Sequence, residues 1–167
     1  TEYILSKWPK QFFIFVANCV KDESSKFFNI PNEKFEVIYS GLDQVEAKEE
    51  IYDDEIKILM PARISNSKDH KSLIKAFDKV KFKSKLFLCG DGTESNEFYK
   101  KVLIWAPNRY RDIVLMGPVI NIENLLNNIN IFALLSNFEA LPLSIIEALR
   151  SKRAVLCTRS EEHTSEL

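Results

Sequence analysis

The chain has 167 residues, 46% of them hydrophobic and 28% charged, with a formal net charge of −1. That length is one domain of ordinary size, and the composition is that of a globular chain and not of a disordered or fibrous one. A charge so near zero excludes bulk attraction to nucleic acid, and the longest apolar run, near residues 12–20, is too short to span a bilayer. In chain order, residues 2–10 read as a short helix ended by Pro9. Residues 12–17, FFIFVA, read as a buried strand. Residues 19–28, CVKDESSKFF, read as a helix with Asp22 and Glu23 in its first turns. Ile30-Pro31-Asn32 breaks it, and residues 35–39, FEVIY, form a strand before the turn Ser40-Gly41-Leu42-Asp43. The acidic stretch 44–55 reads as a solvated linker.

From residue 56 the pattern alternates. IKILMPA, residues 56–62, is a strand, and residues 70–80 form a helix with Leu73, Ile74, Phe77 and Val80 on one face. KLFLCG, residues 85–90, is the next strand, followed by a helix over 94–105 with Phe98, Val102 and Trp105 apolar. IVLMG, residues 113–117, is a strand, and a short helix covers 122–128. INIFALL, residues 129–135, is a strand, and residues 143–149 have helical spacing after Pro142, which suits a first helical turn. AVLCT, residues 154–158, closes the series. Near-continuous apolar strands alternating with helices predict an α/β fold: a Rossmann-like parallel sheet with helices on both faces. Cys19, Cys89 and Cys157 are odd in number, far apart and each in an apolar setting. They read as reduced core thiols, not as a disulfide framework.

In an open α/β sheet, ligands bind beyond the carboxyl ends of the strands. Four stretches fall there. The first, PARISNSKDH, carries Arg63 and Lys68. Two such cations can take up the charge of a phosphate leaving group, or be ordinary surface charges in a lysine-rich protein. The second, Gly90-Asp91-Gly92, is weak evidence for a phosphate loop, since a tight strand–helix turn looks the same. The third is the turn at Gly117. The fourth, SNFEALPLSIIEALRS at 136–151, places Glu139 in a loop and Glu147 in the following helix. A helix N-terminus leaving a strand is a ready anion site, and a carboxylate beside it can accept from sugar hydroxyls. The competing reading is that Ser144, Glu147 and Ser151 form one solvated stripe. There is no Asp-x-Asp pair for a divalent ion, no zinc cluster, no nucleophile elbow and no G-x-x-x-x-G-K-[ST] loop.

The fourth stretch resembles the E-x7-E signature of family 4 retaining glycosyltransferases, whose fold pairs two Rossmann-like domains (GT-B). R-x4-K with Asp69-His70 and Leu73-Ile74-Lys75-Ala76-Phe77, the Gly90-Asp91-Gly92 element and the Gly117 turn resemble further motifs of that family. The resemblance implies a C-terminal donor-binding domain over residues 44–158, preceded over residues 1–43 by the tail of an acceptor domain. Residues 159–167, RSEEHTSEL, resemble a translated sequencing adapter and are expected to be non-native. The implied reaction moves a sugar from a nucleoside diphosphate sugar to an acceptor hydroxyl, in polysaccharide or glycolipid synthesis. Configuration is retained and no metal or other cofactor is expected. Arg63, Lys68 and Glu139 are implied in catalysis. Gly90, Gly117, Ala140, Leu141, Leu143 and Glu147 join them in holding the donor, with Glu147 on the ribose hydroxyls. Ala140 stands where glycine is commoner, which puts the loop shape in question. Implied partners are the donor and a glycan or lipid-linked acceptor, with no nucleic acid. The implied location is cytoplasmic, with peripheral membrane contact made through an acceptor domain. The chain is expected to be a fragment, inactive by itself. Alternatives are a sugar-nucleotide epimerase of the same fold and a non-catalytic α/β nucleotide-binding or interaction module.

Overall fold

The computed structural model describes residues 12–39, 41, 54–137 and 142–158. The reading of a helix over 2–10, most of the linker and the nonapeptide at 159–167 lie outside these residues. The first unit is a βαβ turn. Strand β1 (Phe13–Phe15) leads into helix α1 (Asn18–Phe27) and returns, after a 3-10 turn at Asn32–Lys34, as strand β2 (Phe35–Val37). β1 and β2 pair in parallel, Phe13 opposite Phe35 and Phe15 opposite Val37. The Phe15 ring meets Phe35 edge-on at 5.9 Å. Both strands are shorter than the apolar runs suggest. Asp22 and Glu23 fall beyond the first turn of α1, which contains no acidic residue.

The second unit is a five-stranded sheet. Its elements are β3 (Ile56–Pro61), α2 (His70–Phe77), β4 (Ser84–Cys89), α3 (Asn96–Trp105), β5 (Ile113–Gly117), α4 (Ile122–Leu126), β6 (Ile131–Leu134), α5 (Leu143–Arg150) and β7 (Ala154–Cys157). The strand order is β5-β4-β3-β6-β7, and every pairing is parallel. The chain winds outward from β3 through β4 to β5, then crosses back to lay β6 on the other side of β3. Right-handed crossovers in opposite directions place α2 and α3 on one face and α5 on the other.

The core follows from that double cover. Ile58, Leu59 and Met60 of the central strand are buried in succession, which only a strand packed on both faces permits. Leu73, Ile74 and Phe77 of α2, Leu86 and Leu88 of β4, Phe98 and Val102 of α3, Phe132 and Ala133 of β6 and Ala148 of α5 close over them. Val80 lies beyond the end of α2 and is half-buried. Trp105 is likewise half-buried. Of the three cysteines only Cys89 is a core thiol, its pKa raised to about 11 by burial. Cys19 is half-buried and Cys157 exposed, because β7 is an edge strand with Leu156 half open to solvent. Those two sites correct the expectation of three core thiols. No helix among the described residues is long and apolar enough to cross a membrane.

Candidate functional site

The sheet's winding reverses between β3 and β6, which are hydrogen-bonded neighbours. The loops leaving them lead to helices on opposite faces, the switch point at which an open α/β sheet forms its ligand crevice. The loop after β3 carries Arg63 and Lys68, and the loop after β6 leads into the E-x7-E stretch.

Backbone hydrogen bonds lace these loops into one edge. Asp69 N–H donates to Leu135 O at 2.8 Å and Asn137 N–H to Ser67 O at 2.8 Å. Lys68 and Ser136 form an isolated antiparallel bridge between them. The Asn137 side chain adds a bond from Nδ2 to Asn66 O at 3.2 Å. Farther along, Thr158 holds the β6 loop by one hydroxyl, which accepts from Ser136 N–H at 2.9 Å and donates to Ser136 O at 2.8 Å.

On the other flank, the loop after β4 presses against the first. Gly90 has φ +132°, and a Cβ there would sit 2.5 Å from Ala62 C and 2.7 Å from Arg63 N. Only glycine permits that approach. Ala62 N–H donates to Cys89 O at 2.8 Å, and Ile64 N–H to Asp91 O at 2.9 Å. Thr93, fully buried, donates its hydroxyl to Gly90 O at 2.8 Å and accepts from Gly117 N–H at 3.0 Å. Gly117, at φ +69°, leaves room for the Glu94 carboxyl, which lies 3.3 Å from where its Cβ would be. The glycines at 90 and 117 are therefore explained by packing of one loop on the next.

His70 is buried at the start of α2. Its Nε2 lies 3.0 Å from Ala62 O and donates to it, fixing the end of β3 to the helix. Burial pushes its pKa down, against the pull of the two backbone carbonyls it faces. Asp69 caps the same helix, accepting from Ser72 N–H at 3.0 Å. Hydrogen bonds from Ser72, side chain first and then backbone, hold the Asp69 carboxyl below its ordinary range. Side chains cap α3 and α4 in the same way, from Ser95 and Asn121. α5 differs. Its cap residue is Pro142, which stands just before the first turn and not in it, and whose ring has no group to cap the first-turn N–H groups.

The structure thus brings Arg63, Lys68, Gly90 and the start of α5 to one edge of the sheet. Arg63 is exposed and Lys68 half-buried. Gly117 ends β5 on the same edge. Leu143 opens α5 and is exposed, while Glu147 lies one turn on and is half-buried. Glu139, Ala140 and Leu141 lie outside the described residues. The solvated-stripe reading fails in one respect: Ser144 and Glu147 are half-buried and Ser151 is buried. His70, Thr93, Asn137 and Thr158 shape the edge, and sequence reasoning gave none of them a role of its own. Thr93 directly follows the Gly90-Asp91-Gly92 turn, and a hydroxyl at a strand–helix turn was a signal that could have found it. Among the described residues no group of His, Cys, Asp and Glu is placed to hold a metal ion.

The sequence profile described as "Glycosyl transferases group 1" matches residues 43–167. The chain belongs to that family. It is 30% identical over 144 residues to the N-acetylgalactosamine-N,N'-diacetylbacillosaminyl-diphospho-undecaprenol 4-alpha-N-acetylgalactosaminyltransferase of Campylobacter jejuni, across 84% of this chain and 39% of that protein. It resembles S. aureus TarM, solved with UDP, alpha-GlcNAc-glycerol and Fondaparinux, at 20% identity and a TM-score of 0.81, over 96% of this chain and 32% of TarM. It resembles Anabaena HepE, solved with UDP and glucose, at 18% identity and a TM-score of 0.74, over 90% of this chain and 45% of HepE. These two likenesses show the fold alone. The chain spans less than half the length of each of these proteins.

Proposed function

We propose that this chain is the donor-binding unit of a retaining glycosyltransferase. The whole enzyme would move a sugar from a nucleoside diphosphate sugar to the hydroxyl of a glycan or lipid-linked acceptor. The observation that carries the proposal is the meeting of the Arg63–Lys68 loop with the loop into α5 at the β3–β6 reversal, in a group 1 transferase. Breaking the glycosidic bond leaves negative charge on the diphosphate. Arg63, Lys68 and the N–H groups at the start of α5 are the donors suited to take it up without a metal ion. Glu147 is proposed to accept from the ribose hydroxyls and Glu139 from those of the sugar. The C. jejuni relative is named for a diphospho-undecaprenol substrate, and an acceptor of that kind would bring the enzyme to the cytoplasmic face of a membrane.

The test is calorimetry of the intact protein with UDP, GDP and ADP. Wild type should bind one of them. Glu147→Gln should weaken that binding by about 1.5–3 kcal/mol, the range for a hydrogen bond to a charged group. Equal affinity in wild type and variant would remove Glu147 from the site. Failure of all three nucleotides to bind would instead favour a non-catalytic module.

A further inference from the structure

A cleft of about 290 Å³ opens between the first turn of α2 and the flank of α3. Arg63, Gly90, Gly117 and Glu147 do not line it, while Lys68 and Asn137 do. Its floor is aromatic: Phe98 and Trp105 meet edge-on at 6.1 Å. Phe98 is buried and Trp105 half-buried. Lys68, Lys71 and Lys101 line it as well.

Two carboxylates, Asp69 and Glu97, lie near these lysines. The Asp69 carboxyl is engaged in capping α2. Glu97 pairs with Lys101 at 2.7 Å, but this i,i+4 pair is exposed and therefore weak. A phosphate, with more charge and more acceptor oxygens, can replace it. His70 also lines the cleft, but burial keeps its ring neutral and Ala62 O engages it, so it adds no charge there. An aromatic floor beneath a few polar groups is the usual build of a small-ligand pocket, and such pockets run from about 300 to 1,000 Å³. This cleft is at the bottom of that range. It has room for one pyranose ring and a phosphate, and not for a nucleoside diphosphate sugar.

From this geometry we infer that the cleft is a second site, separate from the donor crevice, that binds a monosaccharide phosphate. Its sugar ring lies on Trp105 and its phosphate between Lys71 and Lys101. The experiment is calorimetry of the intact protein with glucose 1-phosphate, inorganic phosphate and glucose, each with and without saturating UDP. Glucose 1-phosphate should bind in both conditions. Lys71→Ala with Lys101→Ala should weaken it about 10-fold or more, and because both side chains are exposed the fold will tolerate the change. Trp105→Leu should weaken glucose 1-phosphate and leave inorganic phosphate unchanged, with thermal melting confirming the fold. Complete displacement by UDP, no heat from glucose 1-phosphate, or unchanged affinity in the double lysine variant would overturn the inference. Glucose 1-phosphate binding in a protein that binds no nucleotide would uphold the cleft and count against the donor reading alone.

Discussion

At the scale of single residues, Gly90 and His70 carry the sharpest consequences. A methyl group at Gly90 would meet backbone atoms of Ala62 and Arg63 at 2.5 to 2.7 Å, and backbone cannot swing aside as a side chain can. The positive φ adds its own strain for any L side chain. Gly90→Ala should therefore destabilise the protein by about 3 kcal/mol or more, read as a lower urea midpoint. The sign for His70 is equally definite. Its folded pKa lies below the ordinary value, so near neutral pH both folded and unfolded states carry a neutral ring. As pH falls through about 6.5 the unfolded state takes up a proton that the folded state refuses, and stability drops. Urea midpoints between pH 7.5 and pH 5 should fall in wild type, and this part of the slope should vanish in His70→Gln. A slope that survives the substitution would place the titration elsewhere.

Among the elements, α2 and α5 stand on opposite faces of the sheet with their N-termini at the same edge, and they differ in how those ends are satisfied. Asp69 fixes the start of α2, and its carboxyl is held below the ordinary range chiefly by Ser72. Asp69→Ala should cost about 1 kcal/mol of stability, the usual worth of an N-cap side chain. That loss should shrink once the pH is low enough to protonate the carboxyl in wild type. Unfolding curves of the two proteins at pH 7 and pH 3 check both statements. α5 is led by Pro142, whose side chain cannot cap it, but it is not loosely held. Arg150 in its last turn reaches Glu123 on α4 at 2.8 Å, and Ala148 is buried beneath it. Its proline-led start and its anchored end suit a helix that presents N–H groups to a ligand.

For the molecule as a whole, the expectation concerns turnover. Charge on the leaving diphosphate grows as the glycosidic bond breaks, so Arg63→Ala in the intact enzyme should lower kcat more than it raises the donor KM. Steady-state kinetics with the preferred donor decides this, and a normal kcat with only a raised KM would reduce Arg63 to ground-state binding. Transfer should also persist in EDTA, because cations of the chain are proposed to do what a metal does elsewhere. Loss of activity in EDTA, restored by manganese, would refute that.

The sequence by itself determined the kind of fold. Unbroken apolar strands such as IKILM, separated by helices with 3.6-residue periodicity, leave a doubly covered parallel sheet as the way to bury both strand faces. It also marked the segments at the carboxyl ends of the strands, Arg63 to Lys68 and the stretch leading to Glu147. Strand ends were legible only to within a residue or two, because an apolar residue continues a run whether or not its backbone is still paired. What tertiary structure decided was adjacency. That β6 lies beside β3, and not beyond β5, is fixed by a crossover and is invisible in local pattern. That adjacency alone joins Lys68 to Ser136. The roles of His70, Thr93, Asn137 and Thr158 were hidden for the same reason: each bonds to backbone contributed by another segment, and spacing along the chain records no such partner. Exposure of Cys157 likewise followed from which strand became the edge, a choice made by the sheet and not by the residues around it.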